Sequence, residues 1–218
     1  MYEKGPPDKN LALFDFDGTL CLKDSFTGFV FCAHSKRHIL KQGVKLLPWI
    51  QAYYLKLYPA HAMRPKLYQA MFSDQDANEI QNLAEAYAKT LPQHFDVAIY
   101  RQLQQHVALG HDVVLVSASL DLYLIPLCQR LKIALICTQT EQTQGRLTGE
   151  YASPDCSRMQ KQQRILAELD LSQYQQIYAY GNSEEDQDML ALADYPYMVG
   201  VDKVLPELES LHNLGKLA

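Results

Sequence analysis

The sequence predicts an α/β fold, with a Rossmann-like parallel sheet and helices on both faces of it. Short apolar runs recur along the chain at residues 11–14, 113–116, 133–137 and 177–180. Uninterrupted apolar runs of four or five residues are typical of strands buried on both faces. Amphipathic helical patterns separate these runs, and such alternation indicates a parallel sheet.

The helical patterns that accompany this sheet are of ordinary length. They cover residues 96–109, 121–131, 157–169 and 184–193, and the first stops at Gly110. Between the third strand and the helix near residue 157, the sequence GRLTG at 145–149 favours a small hairpin.

Residues 22–92 depart from this alternation because they contain no convincing strand. They predict helices at about 26–34, 38–58, 63–71 and 75–90. We expect Ser73 and Asp76 to form a capping arrangement at the start of the last helix. The sequence therefore predicts a helical cap domain at 22–92, inserted into an α/β core domain of residues 1–21 and 93–218.

Composition excludes several classes of protein. The 218 residues are 48% hydrophobic and carry a net charge of −5 without a basic block, which argues against nucleic-acid binding. The five cysteines are odd in number and widely spaced, which indicates reduced, buried thiols in a cytoplasmic protein. No apolar run approaches the roughly 20 residues of a transmembrane segment. Nothing in the sequence indicates an oligomeric state.

The strongest chemical signal is the sequence DFDGT at 15–19, directly after the first predicted strand. Ligands of open α/β sheets bind beyond the carboxyl ends of the strands, so both carboxylates of this segment are expected there. Asp15 is the candidate nucleophile and Asp17 the candidate general acid and base. The alternative is an Asp-Gly turn that only ends the strand.

Four segments resemble the signatures of the haloacid dehalogenase superfamily. They are LALFDFDGTL, VVLVSAS, the sequence CSRMQKQQRIL around Lys161, and YGNSEEDQDML. The helical insert resembles the cap of the phosphoserine phosphatase-like branch. The resemblance implies a magnesium-dependent phosphomonoesterase that forms an aspartyl-phosphate. Its substrate is expected to be a small phosphorylated metabolite, such as phosphoserine or a similar amino-alcohol phosphate.

Candidate phosphate-binding groups follow the first and second strands. The hydroxyl of Ser117 and the amide of Ala118 are expected to hold phosphate oxygens, with Ser119 as second choice. Ser117 as the N-cap of the next helix is the alternative. Gly18 provides a tight turn beside the same phosphate.

A cation is needed to offset repulsion between the Asp15 carboxylate and a phosphate dianion. The resemblance assigns this role to Lys161, and a solvated helix lysine is the alternative. Arg158 and Arg164 are rivals nearby.

The candidate Mg²⁺ site combines Asp15 and the carbonyl of Asp17 with Asn182 and Asp186, all of which offer hard oxygen ligands. Asn182 occupies a place where the family more often has Asp. The alternative for Asp186 is a capping box with Ser183 as N-cap.

Substrate selection is the least determined part of the prediction. Asp24 occupies the place where phosphoserine phosphatases have an acidic residue that faces the substrate amine, or else it opens the first cap helix. Arg64 and Lys66 are weaker candidates to meet a substrate carboxylate. His34 and His38 lack a third metal ligand, so we assign them a structural role.

Three alternative functions stay open. A phosphatase of a lipid headgroup such as phosphatidylglycerophosphate is favoured by the apolar, lysine-flanked residues 44–58, which suit a membrane surface, although packing of the cap against the core also explains them. A phosphotransferase would pass the phosphoryl group to an acceptor other than water. Asn182 leaves room for a binding protein with a decayed site.

Overall fold

The computed structural model describes residues 9–55, 57–58 and 60–208, and it has seven strands and eight α-helices in that part of the chain. The strands are β1 Lys9–Phe14, β2 Asp112–Leu120, β3 Ala134–Thr138, β4 Thr140–Thr143, β5 Arg146–Tyr151, β6 Tyr174–Gly181 and β7 Tyr195–Met198. The helices are α1 Ser25–Ala33, α2 Lys36–Tyr54, α3 Ala60–Phe72, α4 Ala77–Ala88, α5 Val97–Ala108, α6 Asp121–Leu131, α7 Met159–Glu168 and α8 Gln187–Leu190. Short 3-10 helices occupy Leu91–His94, Leu171–Gln173 and Glu184–Asp186.

The main sheet has the order β3-β2-β1-β6-β7, and its strands are all parallel. Strand β1 lies at the centre because its apolar residues are buried on both faces. Its side chains alternate between two cores: Ala12 and Phe14 join one, while Leu11 and Leu13 join the other. The predicted α/β fold is confirmed. Strand β7 was not predicted, since its sequence YPYM contains proline and is only partly buried, as suits an edge strand.

The helical insert and the hairpin also agree with the sequence pattern. The described residues between 25 and 88 form α1 to α4 and contain no strand, and β4 pairs with β5 as an antiparallel hairpin. The hairpin joins the insert through backbone hydrogen bonds from Asp74 to Leu147 at 2.8 Å and from Ala77 to Gly145 at 2.9 Å.

The predicted cap of α4 is wrong. Asp76 is its N-cap, and the Asp76 carboxylate accepts a hydrogen bond from the Glu79 amide at 2.9 Å. Ser73 instead follows α3, and its hydroxyl donates to the carbonyl of Thr148 in β5 at 3.0 Å. The competing partner in the hairpin explains the error.

Helix α2 is largely exposed, unlike a helix that packs against the core. Leu46 is its one buried residue among those described. Packing therefore does not account for most of the apolar residues of 44–58. No helix in the described ranges is long and apolar enough to cross a membrane. Of the five free cysteines four are buried, but Cys32 is exposed, which corrects the prediction for that residue.

A buried polar network lies beneath the sheet. The Nδ1 atom of His106 forms a hydrogen bond with Nδ1 of His111 at 2.8 Å, and its Nε2 atom forms one with the Tyr180 hydroxyl at 2.8 Å. The ring of Tyr180 in turn stacks on Phe14 at 4.3 Å between centroids. Burial lowers the pKa of His106 to about 3, helped by repulsion from His111, so this imidazole is neutral at physiological pH.

Candidate active site

The candidate site lies at the carboxyl end of the sheet, where β1, β2 and β6 end side by side. Asp15 directly follows β1, and its amide donates to the carbonyl of Tyr180 in β6 at 2.9 Å. Ser117 lies in β2, and Asn182 directly follows β6. Because neighbouring strands are parallel, they bring these residues to one edge. A cavity of about 500 Å³ opens there, and Asp15, Ser117 and Asn182 line it.

A buried ammonium group joins two carboxylates at the base of the cavity. The Nζ atom of Lys161 lies 2.5 Å from Oδ1 of Asp15 and 2.5 Å from Oδ1 of Asp186. Thr19 donates a further hydrogen bond to Oδ2 of Asp15 at 2.8 Å. Burial raises the pKa of Asp15, and Lys161 opposes that rise. Burial would lower the pKa of Lys161, but attraction from Asp15 and Asp186 outweighs it and the pKa is raised, so the ammonium stays charged.

The placement of Lys161 follows from the face of α7 that packs inward. Lys161 and Ile165 are the buried residues of α7 and lie one turn apart on the same side. The rivals lie elsewhere: Arg158 is exposed, and the Arg164 guanidinium donates to the carbonyl of Cys137.

Asp17 lies in the same cavity and is held by hydroxyl donors. Ser25 donates to it through its amide at 2.7 Å and through its hydroxyl at 2.9 Å, and the Ser119 hydroxyl donates as well. Burial raises the pKa of Asp17 to about 6, although these hydrogen bonds lower it. A carboxyl group with such a pKa exchanges a proton close to neutral pH, which suits a general acid and base.

The end of β2 forms an irregular segment that faces the cavity. The pairing of β2 with β3 shifts register between Ser117 and Leu120, and Ser117, Ala118 and Ser119 all line the cavity. The Ser117 hydroxyl accepts from the Ser119 amide at 3.0 Å, and Leu120 is the N-cap of α6, so Ser117 does not cap that helix. The Thr138 hydroxyl fixes this segment by donating to the Ala118 carbonyl at 2.9 Å.

The turn after β6 is built on Asp186. Its Oδ2 atom accepts from the amides of Asn182 at 3.0 Å and Ser183 at 3.1 Å, so the capping box with Ser183, the alternative considered for Asp186, is present. Its Oδ1 atom faces Lys161. One carboxylate therefore serves both the turn and the charge cluster.

Gly18 is not among the residues that line the cavity. It has a φ of +84°, and a Cβ atom there would lie 1.9 Å from Nδ2 of Asn182. Glycine is therefore required for this turn to pass the Asn182 side chain.

Asp24 lines the cavity and also caps α1, since its carboxylate accepts from the Thr27 amide at 2.8 Å. Arg64 lines the cavity too, but its guanidinium donates to Asp155 at 3.2 Å and to Glu185 at 2.5 Å. Lys66 is not a lining residue; its ammonium lies 5.0 Å above the centre of the Trp49 ring. His34 and His38 stack on each other outside the cavity, with 4.6 Å between ring centres.

Ser25 and the apolar wall of the cavity were not predicted from the sequence. Ser25 directly follows Asp24, and its role in the site is visible only from its hydrogen bonds to the Asp17 carboxylate. The wall consists of side chains from the helical insert: Phe26, Ile50, Tyr53, Tyr54, Met63 and Leu67. Their spacing along the insert resembles ordinary core packing, so no signal in the sequence identified them.

The donor chemistry fits magnesium. Asp15 and Asp186 each turn one carboxylate oxygen towards the same cation, the Lys161 ammonium, so the two carboxylates converge. Within residues 9–55, 57–58 and 60–208, no three His, Cys, Asp or Glu side chains group as in a metal centre. The candidate ligands are two carboxylates and the neutral oxygens of Asn182 and the Asp17 carbonyl, which are the oxygen donors that Mg²⁺ prefers.

Comparison with known proteins gives consistent matches along most of the chain. A protein-family model described as haloacid dehalogenase-like hydrolase matches residues 12–191. Protein CicA of Caulobacter vibrioides is 35% identical over 192 residues, which cover 84% of this chain and 83% of that protein. A histidinol-phosphatase of Neisseria meningitidis serogroup C is 26% identical over 212 residues, covering 90% of this chain and 93% of that protein.

Solved structures with a similar fold include a substrate-bound phosphoserine phosphatase complex. It aligns with a TM-score of 0.63 at 15% identity, covering 95% of this chain and 97% of that one. At this level of identity the likeness concerns the fold.

Proposed function

Because this chain belongs to the haloacid dehalogenase-like hydrolase family, we propose that it is a phosphomonoesterase whose nucleophile is Asp15. The observation that carries this proposal is the buried contact between Asp15 and Lys161 at the base of an open cavity. A carboxylate beside a fixed cation can approach a phosphate dianion with less repulsion. The irregular segment of Ser117 and Ala118 supports binding of the phosphate oxygens beside it.

The reaction proceeds in two displacements at phosphorus. In the first, a carboxylate oxygen of Asp15 bonds to phosphorus, the bond from phosphorus to the ester oxygen breaks, and Asp17 gives its proton to the leaving alkoxide. In the second, water attacks the aspartyl-phosphate while Asp17 takes a proton from that water. Inorganic phosphate leaves, and the Asp15 carboxylate is restored. The pKa of Asp17, about 6, lets it exchange this proton in both directions.

Magnesium would be held by Asp15, the Asp17 carbonyl, Asn182 and Asp186. When bound, it supplies positive charge that stabilises the phosphoryl oxygens in the transition state. The protein brings two carboxylates to it and one neutral amide, which implies moderate affinity. Lys161 keeps the two carboxylates together and compensates their charge.

We further propose that residues 22–92 act as a cap domain over a core of residues 1–21 and 93–218. Support comes from the side chains of α1, α2 and α3 that line the cavity opposite Asp15. A cover of this kind limits the access of water during phosphoryl transfer. The five free cysteines support a location in the cytoplasm.

The substrate class is a small amino-alcohol phosphate that lacks a carboxylate. Among the described residues that line the cavity, the cations are Lys161 and Arg64, and each already contacts two carboxylates. A substrate carboxylate, as in phosphoserine, therefore finds no free cation, whereas an amine finds the exposed carboxylate of Asp24. The similarity to a histidinol-phosphatase supports the same class.

The nucleophile is tested by Asp15→Asn, which should fold normally and lose hydrolysis of both aryl and amino-alcohol phosphates, because an amide does not form the acyl-phosphate. Activity near that of the wild type would refute the assignment. Hydrolysis of an aryl phosphate by the wild type would also exclude a binding protein with a decayed site. Analysis of the products formed with added alcohols would distinguish hydrolysis from phosphotransfer.

The acid is tested by the leaving group. Asp17→Asn should slow hydrolysis of alkyl phosphates by roughly 10²–10⁴-fold and that of nitrophenyl phosphate much less, since nitrophenolate leaves without a proton. Equal losses for both esters would argue against proton donation by Asp17.

The substrate class is tested by comparing kcat/KM for histidinol phosphate, phosphoethanolamine and phosphoserine. We expect phosphoserine to be the poorest of the three. Asp24→Asn should lower kcat/KM for the amines by up to about fivefold, the usual range for an exposed charge pair. A clear preference for phosphoserine would show that a cation of the cavity is available to a substrate carboxylate, against the pairing of Arg64 with Asp155 and Glu185.

A further inference from the structure

Basic residues are concentrated in one segment of this acidic chain. Seven of the 20 Lys and Arg residues and none of the 25 acidic residues lie within 25–73, so this segment has a formal charge of +7 and the remainder −12. Four of the seven belong to α2: Lys36, Arg37, Lys41 and Lys45, all exposed. Such separation of charge indicates a surface that meets an anionic partner.

The same helix exposes a row of apolar side chains, which we call the α2 stripe. It consists of Leu40, Val44, Leu47 and Tyr54, which are 69%, 63%, 49% and 78% exposed. Steps of four, three and seven residues keep them on one side of the helix. Leu46 lies about a third of a turn around the helix from the stripe and is buried. Among the described residues, the stripe therefore presents an apolar face without a partner, in addition to the face that packs on the protein.

A basic row runs beside the stripe. Arg37, Lys41 and Lys45 follow one another at intervals of four residues, which places them along the neighbouring side of α2. A helix with an apolar face, a Lys- and Arg-rich flank and low overall hydrophobicity is suited to the boundary between headgroups and acyl chains. Long basic side chains reach lipid phosphates from that depth.

We propose that α2 docks this protein on the surface of a membrane that contains anionic phospholipids. An anionic bilayer matches both features, because it offers negative charge to the basic row and an apolar phase to the stripe. A second copy of the chain would bring two basic rows face to face, and nucleic acid offers no apolar phase for the stripe. In this arrangement α2 lies on the membrane surface and does not cross the bilayer. No described helix is long and apolar enough to span it.

Docking in this orientation brings the mouth of the cavity to the membrane. Ile50, Tyr53 and Tyr54 of α2 line the cavity, and Tyr54 also belongs to the stripe. Phosphomonoesters at the bilayer surface then reach Asp15 directly. The docking goes beyond the proposed phosphatase activity and does not depend on it.

Binding is measured with vesicles of phosphatidylcholine, alone or with about 40% phosphatidylglycerol. We expect the 218-residue chain to co-sediment with the anionic vesicles, only weakly with neutral ones, and less at about 1 M salt. Trp49 is the one tryptophan of the chain and lies on α2. Energy transfer from Trp49 to dansyl-labelled lipid should therefore accompany binding.

Paired variants separate the two contributions. Lys41→Gln with Lys45→Gln should lower the vesicle partition coefficient about 20- to 30-fold, since each basic side chain near the surface contributes about fivefold. Leu40→Ser with Val44→Ser should weaken the binding that remains at high salt. The matched control is Lys89→Gln with Lys203→Gln, two exposed lysines outside the segment, which should change partition by less than about twofold.

All variants should hydrolyse an aryl phosphate in solution like the wild type, because none of the substituted residues lines the cavity. Failure of the wild type to bind anionic vesicles would overturn the docking, whatever its phosphatase activity. An equal loss of vesicle binding in the control pair would also overturn it, because binding would then depend only on the net charge of the protein. A dimer in solution that the Leu40→Ser and Val44→Ser changes dissociate would show that a second copy covers the stripe, and selective capture of an acidic polypeptide would assign α2 to a protein partner.

Discussion

Replacing Lys161 by methionine removes the ammonium and leaves an unbranched side chain that is one atom shorter. Lys161 is 2% exposed, and its two partners Asp15 and Asp186 are also buried, so the change leaves two carboxylates without their cation. Breaking a buried ion pair from one side costs about 3–5 kcal/mol. For a chain of this size we expect Tm to fall by roughly 6–20 °C.

The loss should depend on pH in a definite direction. Without Lys161, burial and repulsion from the Asp186 carboxylate hold the folded-state pKa of Asp15 above the unfolded value. A raised carboxyl pKa destabilises the folded state once the pH rises above the unfolded pKa, near 4, because the unfolded chain then ionises more readily. The deficit of Lys161→Met should therefore be larger at pH 7 than at pH 5. Urea denaturation of chelator-treated protein at both pH values measures it.

Two further variants isolate the charge effect. Asp15→Asn in the Lys161→Met background should recover part of the lost stability, because one uncompensated carboxylate is gone. Lys89→Met, at an exposed position, should change the free energy of unfolding by no more than about 0.5 kcal/mol. A loss below about 1 kcal/mol for Lys161→Met, or one independent of pH, would show that the cluster is not the buried charge network described above.

Other sites support predictions of different kinds. Asn182→Asp should lower the Mg²⁺ concentration for half-maximal activity and Asp186→Asn should raise it, as activity titrations would show; unchanged metal dependence in both would place the metal elsewhere. Gly18→Ala should destabilise the protein by at least 1–2 kcal/mol more than Gly110→Ala, about the cost of one strained contact, because both glycines have positive φ but a Cβ at Gly110 meets nothing within 4 Å. Thermal denaturation compares them, and equal losses would refute the contact with Asn182. The pKa of His106 is about 3 in the folded protein and 6.5 in the unfolded chain. Neutral His106 therefore favours the folded state fully above pH 6.5, and this stabilisation is lost as the pH falls towards 3. By pH 5 the loss should reach about 2 kcal/mol, and urea titrations of His106→Gln should show a flatter pH dependence.

The central sheet was predictable because burial on both faces leaves a direct mark on the sequence. Each of the four predicted strands is an unbroken apolar run, and β1, β2, β3 and β6 all contain one. The edge strand β7 bears no such mark, since Pro196 and the exposed Tyr195 are tolerated only where one side of the strand is unpaired.

The candidate site was predictable where residues follow strands and unpredictable where the helical insert meets them. Asp15 and Asn182 directly follow β1 and β6, and Ser117 lies near the carboxyl end of β2, so a parallel sheet alone brings them together. The bond from Ser25 to Asp17 depends on how α1 sits against β2, and the pairing of Arg64 with Asp155 and Glu185 depends on α3. Periodicity indicates that a helix has an apolar face, but it does not say what that face covers, as the exposed stripe of α2 illustrates.

The two oxygens of Asp186 constrain how this chain can change in evolution. One oxygen accepts the amides that shape the turn carrying Asn182, while the other faces Lys161. A substitution at 186 therefore removes contacts that shape the turn at Asn182 and also changes the surroundings of the Lys161 ammonium. Exchanges at these three positions should be non-additive, and acceptable sequences should be reached by coordinated replacement rather than by single steps.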